Sequence, residues 1–167
     1  VAVVTRGASQ HTGADGRAVG AMFGTLFNDL TVAETLSDRG FDADLQAHDS
    51  MAVELIAQFG PQGLGRMRMH GVVAVLHRAQ RTVLVARDVV GVDSLFYAQF
   101  DGGEILANSL SVFEDLGMEG NVAARQERRC WGGYATAVGG VWRVPPGVVA
   151  MVTEQDLQWQ ALRPSAD

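Results

Sequence analysis

The chain opens on a short apolar run, Val1–Thr5, that reads as a buried strand, followed by a Gly/Ser/Asp-rich loop over 7–16 that is too polar to be core. Ala18–Asn28, with Gly20 and Gly24, reads as a strand running into a turn. From Asp29 the pattern becomes helical: Leu30, Ala33 and Leu36 recur at three-residue spacing, and Gly40 supplies a stop beyond Arg39. His48-Asp49-Ser50 offers capping side chains for a second helix. Its apolar face carries Val53, Ile56, Ala57 and Phe59 and ends at Gly60-Pro61.

The strongest β signal follows. Gly71–His77 and Thr82–Ala86 are β-branched runs around the polar turn Arg78-Ala79-Gln80-Arg81, which predicts a hairpin. Leu95–Phe100 and Glu104–Asn108 predict a second one across Asp101-Gly102-Gly103. Val112–Leu116 reads as a helical turn, and Val141–Arg143 and Val148–Thr153 as late strands around Pro145-Pro146-Gly147. With no internal repeat and no dividing linker, the pattern predicts an α+β fold, mainly antiparallel sheet with two middle helices.

Composition narrows the class. A chain of 167 residues with 47% apolar and 19% charged residues fits one packed domain. Its formal charge is -6, which argues against a nucleic-acid partner. All 13 basic residues are arginine, a bias that suggests a GC-rich bacterial genome. Arg125, Arg128 and Arg129 cluster, and read as a solvated face. The single cysteine, Cys130, excludes a disulfide framework and repeated zinc-ligand spacing, so a reducing cytoplasm is expected. The apolar run from Ala135 to Val152 is broken by Arg143 and by Pro145-Pro146, so no membrane span is expected, and the start lacks the pattern of a signal peptide. A leading Val1 in place of Met suggests a processed or incompletely recorded amino terminus.

Isolated candidates for chemistry are weak. Cys130, between Arg129 and Trp131, reads as an inert thiol although arginines beside it would favour thiolate. His11, His48, His70 and His77 lack metal-ligand spacing on one helix. Gly60-Pro61-Gln62-Gly63-Leu64-Gly65 does not join a strand to a helix, as a phosphate loop would. Met51, Met67 and Met69 read as core fillers. Arg87-Asp88 reads as an internal ion pair fixing the turn before Gly91 rather than as a catalytic pair.

That turn carries a family signature. Arg87-Asp88-Val89-Val90-Gly91-Val92-Asp93-Ser94-Leu95-Phe96-Tyr97 resembles the Arg-Asp-x-x-Gly-x-x-Pro-Leu-Tyr-Tyr segment of asparagine synthetases and related class II amidotransferases, departing at Ser94 and Phe96. Phe23-Gly24-Thr25-Leu26-Phe27-Asn28 is similar to the family's Asn-Gly-Glu-Ile-Tyr-Asn, and Ile105-Leu106-Ala107-Asn108-Ser109 to its Phe-Ala-Ser-Glu. Gly140-Val141-Trp142-Arg143-Val144-Pro145-Pro146-Gly147 resembles the close of the glutaminase-like domain. The resemblance covers roughly residues 18–155. It implies a four-layer αββα Ntn-hydrolase-like sandwich of two antiparallel sheets.

Family members attack glutamine with an amino-terminal cysteine whose own amine serves as base, and pass ammonia to an ATP-dependent second domain. Val1 offers no such nucleophile. Phe23 and Thr25 stand where the family has its amide donor and carboxylate, and Arg6-Gly7-Ala8 departs from its Arg-Gly-Pro segment. The resemblance thus makes Phe23, Gly24, Thr25 and Asp49 vestigial glutamine-pocket positions, Asp49 matching an aspartate that holds the substrate amine. Asn28, Arg87, Asp88 and Gly91 become structural motif residues, and no catalytic or metal residue is expected.

The expectation is a degenerate glutaminase-like domain over 1–155, with 156–167 a linker towards an asparagine-synthetase-like ATP-binding domain in cis or on a separate chain. No Ser-Gly-Gly-x-Asp-Ser loop occurs in the sequence, so ATP and Mg²⁺ are implied only for that other domain. The long 7–16 loop and the Pro-Pro-Gly close look closest to β-lactam synthetases and lasso-peptide cyclases, which form an intramolecular amide. The alternative is an active glutamine amidotransferase with an unrecorded amino-terminal cysteine. An uncovered apolar face would also favour a homo-oligomer.

Overall fold

The computed structural model describes residues 2–4, 8, 10–120, 135–153 and 156–162. Val1, Arg6-Gly7, the arginine cluster with Cys130, and the tail from Arg163 lie outside the described residues. The chain forms two compact units, one of residues 7–93 with 146–167 and one of residues 1–6 with 94–145.

The larger unit is a six-stranded antiparallel sheet with three helices on one face. Its strands are β2 (His11–Thr12), β3 (Ala18–Leu26), β4 (Met69–His77), β5 (Thr82–Arg87), β9 (Val148–Val152) and β10 (Leu157–Ala161), in the order β10-β9-β5-β4-β3-β2. Its helices are α1 (Asp29–Ser37), α2 (His48–Phe59) and α3 (Pro61–Arg66). Alternation along each strand sends Met22 and Leu26 of β3, Val73 and Val75 of β4, and Leu84 and Ala86 of β5 to the helix face, where they form one core with Val32, Leu36, Met51, Ile56 and Leu64. Met51, Met67 and Met69 all fill this core, as expected. The opposite face of the central strands is buried as well, with Val72 and Val85 at 0% exposure.

The helices differ from the sequence reading in which side chains they bury. Leu30 is 62% exposed, and α1 instead packs Val32 and Leu36, a four-residue spacing closer to the 3.6-residue turn than the three-residue series. In α2 the seven consecutive residues Met51–Ala57 are all buried, Glu54 among them, so the helix is embedded rather than amphipathic. The glycine-rich stretch after it forms α3, with Pro61 at the helix start, where its missing N–H costs nothing. Gly63 is needed there, because a Cβ would stand 2.6 Å from the Leu55 carbonyl oxygen of α2.

The smaller unit holds β1 (Ala2–Val4), β6 (Phe96–Phe100), β7 (Gly103–Ala107), α4 (Ser111–Asp115) and β8 (Val141–Arg143), with sheet order β1-β7-β6-β8. β6 and β7 form the expected hairpin, tightened to the two residues Asp101-Gly102. Phe96, Ala98, Ile105, Phe113 and Val141 make its core. Two corrections to the sequence reading concern strands. β1 pairs with β7 in parallel, Val3 opposite Leu106, so this sheet is mixed. The stretch expected to be a linker begins with β10, in which Gln158 faces Met151 and Gln160 faces Val149, because β9 leaves an edge that Leu157–Ala161 can pair.

Candidate functional site

The pocket positions on β3 flank a pinch between strands. Gly24 lies opposite Gly71, and both have positive φ, 140° and 118°. A Cβ on Gly24 would stand 2.0 Å from the His70 carbonyl oxygen, and one on Gly71 2.0 Å from that of Phe23. Glycine is therefore a steric requirement of this crossing, independent of any ligand. Phe23 and Thr25, opposite Val72 and His70, alternate with Met22 and Leu26 and so face away from the helix layer.

Just beyond β3, Asn28 holds the chain through both ends of its amide. Its Nδ2 donates to the Arg66 carbonyl at 2.8 Å and its Oδ1 accepts from the Arg68 amide at 2.7 Å, tying the start of α1 to the α3–β4 connection.

Arg87, Asp88 and Gly91 form a locked turn. Asp88, at 0% exposure, accepts from the amides of Gly71 at 3.0 Å, Val92 at 3.3 Å and, very closely, Gly91. Burial pushes its carboxyl up, but hydrogen bonds from the Gly71, Gly91, Val92 and Val90 amides outweigh this and hold it below the usual carboxylate range. Arg87, 4% exposed, donates to the carbonyls of Asp93 at 2.6 Å and Gly91 at 3.0 Å. Where the sequence reading expected an ion pair between them, the two side chains bind backbone groups of the turn around Gly91. The Gly147 amide donates to the Asp88 carbonyl at 2.8 Å, and a Cβ on Gly91 would meet Pro146 Cγ at 2.6 Å, so the Pro-Pro-Gly segment closes over the motif.

Asp49 sits in the first turn of α2. Its Oδ2 lies 2.6 Å from His11 Nε2 of β2, and its Oδ1 accepts from the Ser50 amide at 2.9 Å. One helical turn on, the buried Glu54 accepts from the Ala14 amide at 2.8 Å and from Gln58 Nε2 at 2.7 Å. Together these two carboxylates of α2 clamp the polar 11–14 segment. The clamp was not foreseen, because Glu54 lies amid apolar residues and its partner is 40 positions away. His48 accepts from the Leu26 amide through Nδ1 at 3.3 Å, joining the start of α2 to the end of β3.

In the smaller unit Tyr97, the end of the motif, donates to Glu104 Oε1 at 3.3 Å. Burial and then the Glu104 charge push the phenol above its ordinary value. Among the described residues, no group of three or more His, Cys, Asp or Glu side chains is placed to hold a metal ion. Among them also, no helix is long and apolar enough to cross a membrane.

Comparison with solved structures supports the α+β, Ntn-hydrolase-like fold. The chain resembles the allosteric regulatory enzyme of purine biosynthesis at 14% identity and a TM-score of 0.64, over 95% of this chain and 31% of that one. It resembles glutamine phosphoribosylpyrophosphate amidotransferase from B. subtilis, solved with ADP and GMP, at 13% identity and a TM-score of 0.65, over 95% of this chain and 32% of that one. The chain thus spans about a third of the length of these structures. No curated protein matches it. The model of a glutamine amidotransferase domain matches residues 3–114, more than half of the chain and the stretch that contains both the Gly24 pinch and the Asp88 turn, and the chain belongs to that family.

Proposed function

We propose that this is an amidotransferase-type domain that does not hydrolyse glutamine and acts as the scaffold of an ATP-dependent amide ligase. The observation that carries this reading is the fate of Asp49. The carboxylate expected to hold the glutamine amine is engaged by His11 at 2.6 Å. Neither a phenyl ring nor a hydroxyl replaces the amide and carboxylate that the family resemblance calls for at those two positions. The ligase would join a carboxylate to an amine within one substrate, as in β-lactam or macrolactam formation in a natural-product pathway. ATP and Mg²⁺ belong, in this reading, to an asparagine-synthetase-like domain in cis or on a second chain, in a bacterial cytoplasm. Assembly as a homo-oligomer is compatible with it.

The test is ammonia release from glutamine by the protein as its host makes it, with its leading residue read by amino-terminal sequencing. No release above the blank, with a leading residue other than cysteine, is expected. Glutamine-dependent ammonia from a protein led by cysteine would establish the second reading, an active amidotransferase, which the family match favours.

A further inference from the structure

The larger unit carries a cleft of about 760 Å³ between α3 and the β9–β10 pair, within the size range of small-molecule sites. Gln62, Leu64 and Arg66 of α3, Val149 of β9, and Gln160 and Leu162 at the end of β10 line it. Its walls are thus polar and apolar in near-equal measure, with two side-chain amides and one cation among the described residues.

Arg66 is held at both ends. Its carbonyl accepts from Asn28, and its guanidinium lies over the Phe59 ring at 4.6 Å, while Arg39 stacks on the same ring at 4.9 Å. Among the described residues neither guanidinium pairs with a carboxylate, although the chain has 19 acidic residues to 13 basic ones. Arg39 follows the end of α1, Phe59 ends α2 and Arg66 ends α3. Cations at helix C-termini offset the helix dipoles, which accounts for positive charge here. It does not account for a cleft beside an arginine whose backbone and head are both fixed and which pairs with no carboxylate among the described residues.

We propose that this cleft binds a small amphipathic anion, its carboxylate or phosphate held by Arg66 with Gln62 and Gln160, its apolar part lying on Pro61, Ala161 and Leu162. A guanidinium positioned before the ligand arrives loses little side-chain entropy on binding, and charge-assisted hydrogen bonds to it are the strong kind.

The test titrates the whole chain with octanoate, octyl phosphate, octanol and acetate by calorimetry. The expected result is one-site binding of octanoate, octyl phosphate or both, the comparison telling which anion is preferred, with octanol and acetate each weaker by about tenfold or more. Arg66→Gln should reduce the anion's affinity by about tenfold or more in a chain that still melts cooperatively, a few degrees lower at most for the lost stack on Phe59. Should Arg66→Gln fail to fold, Gln160→Glu on the exposed β10 puts a negative charge at the same cleft and should weaken binding similarly. Equal binding of octanol, binding that survives the substitutions, or no binding of either anion overturns the proposal.

Discussion

Gly24 and Gly71 show how one atom can decide a site. Each occupies the space where the other strand's backbone passes, so a methyl group at either must move a backbone rather than a side chain. Gly24→Ala is expected to cost on the order of 3 kcal/mol, from strain at positive φ together with overpacking. Gly16→Ala, with a φ of 70° but open space around it, should cost only about 1 kcal/mol. Urea denaturation of the two variants separates these contributions, and equal costs would mean the strands part freely at the pinch. Asp88 makes a second prediction at this scale. Its carboxyl is held below the ordinary range in the fold, so the stability it supplies is complete above the unfolded value of about 4 and is lost as pH falls through the lower folded value. Asp88→Asn keeps the shape but points an N–H₂ at backbone donors, and should cost about 2 kcal/mol or more at neutral pH. Acid titration of stability should then show a smaller decline below pH ~4 in the variant than in the natural protein.

At the scale of elements, α2 is the organiser of the larger unit. It is buried on all sides through Met51–Ala57 and still carries Glu54, whose two oxygens are taken by Ala14 and Gln58. Removing that carboxylate takes the acceptor from the Ala14 amide and frees the 13–16 turn. Glu54→Ala should therefore destabilise by about 2 kcal/mol and speed tryptic cleavage after the exposed Arg17. Cleavage at the natural rate would mean that β2 alone holds this segment. The helix pattern was legible as periodicity, yet its faces were misassigned in α1, since a three-residue series through Leu30 competes with Val32 and Leu36 and only packing chooses between them. The hairpins were legible to within a residue or two, because β-branched runs and a Gly-containing turn are local signals. β10 was not, because Gln158, Trp159 and Gln160 lie on an exposed edge strand with little apolar alternation to announce it.

For the whole molecule, the testable consequence is indifference to glutamine. A ligand that binds the native state raises the melting temperature by mass action, so a protein with an intact pocket would melt higher in glutamine. No shift is expected up to millimolar glutamine, and a saturable rise would argue that Phe23, Thr25 and the His11-bound Asp49 still form a pocket. The sequence by itself determined the class of fold and the amidotransferase type of the domain, because both rest on local order: strand runs, turn glycines, and a motif whose spacing is read directly. It also marked Asn28, Arg87, Asp88 and Gly91 as structural. Only the tertiary structure decided what those residues hold, that Gly24 needs Gly71, that β1 pairs in parallel with β7, and that Asp49 turns to His11. The last three of these join positions 38 or more apart, and such pairings are chosen by which buried groups must satisfy one another, a condition no local pattern contains.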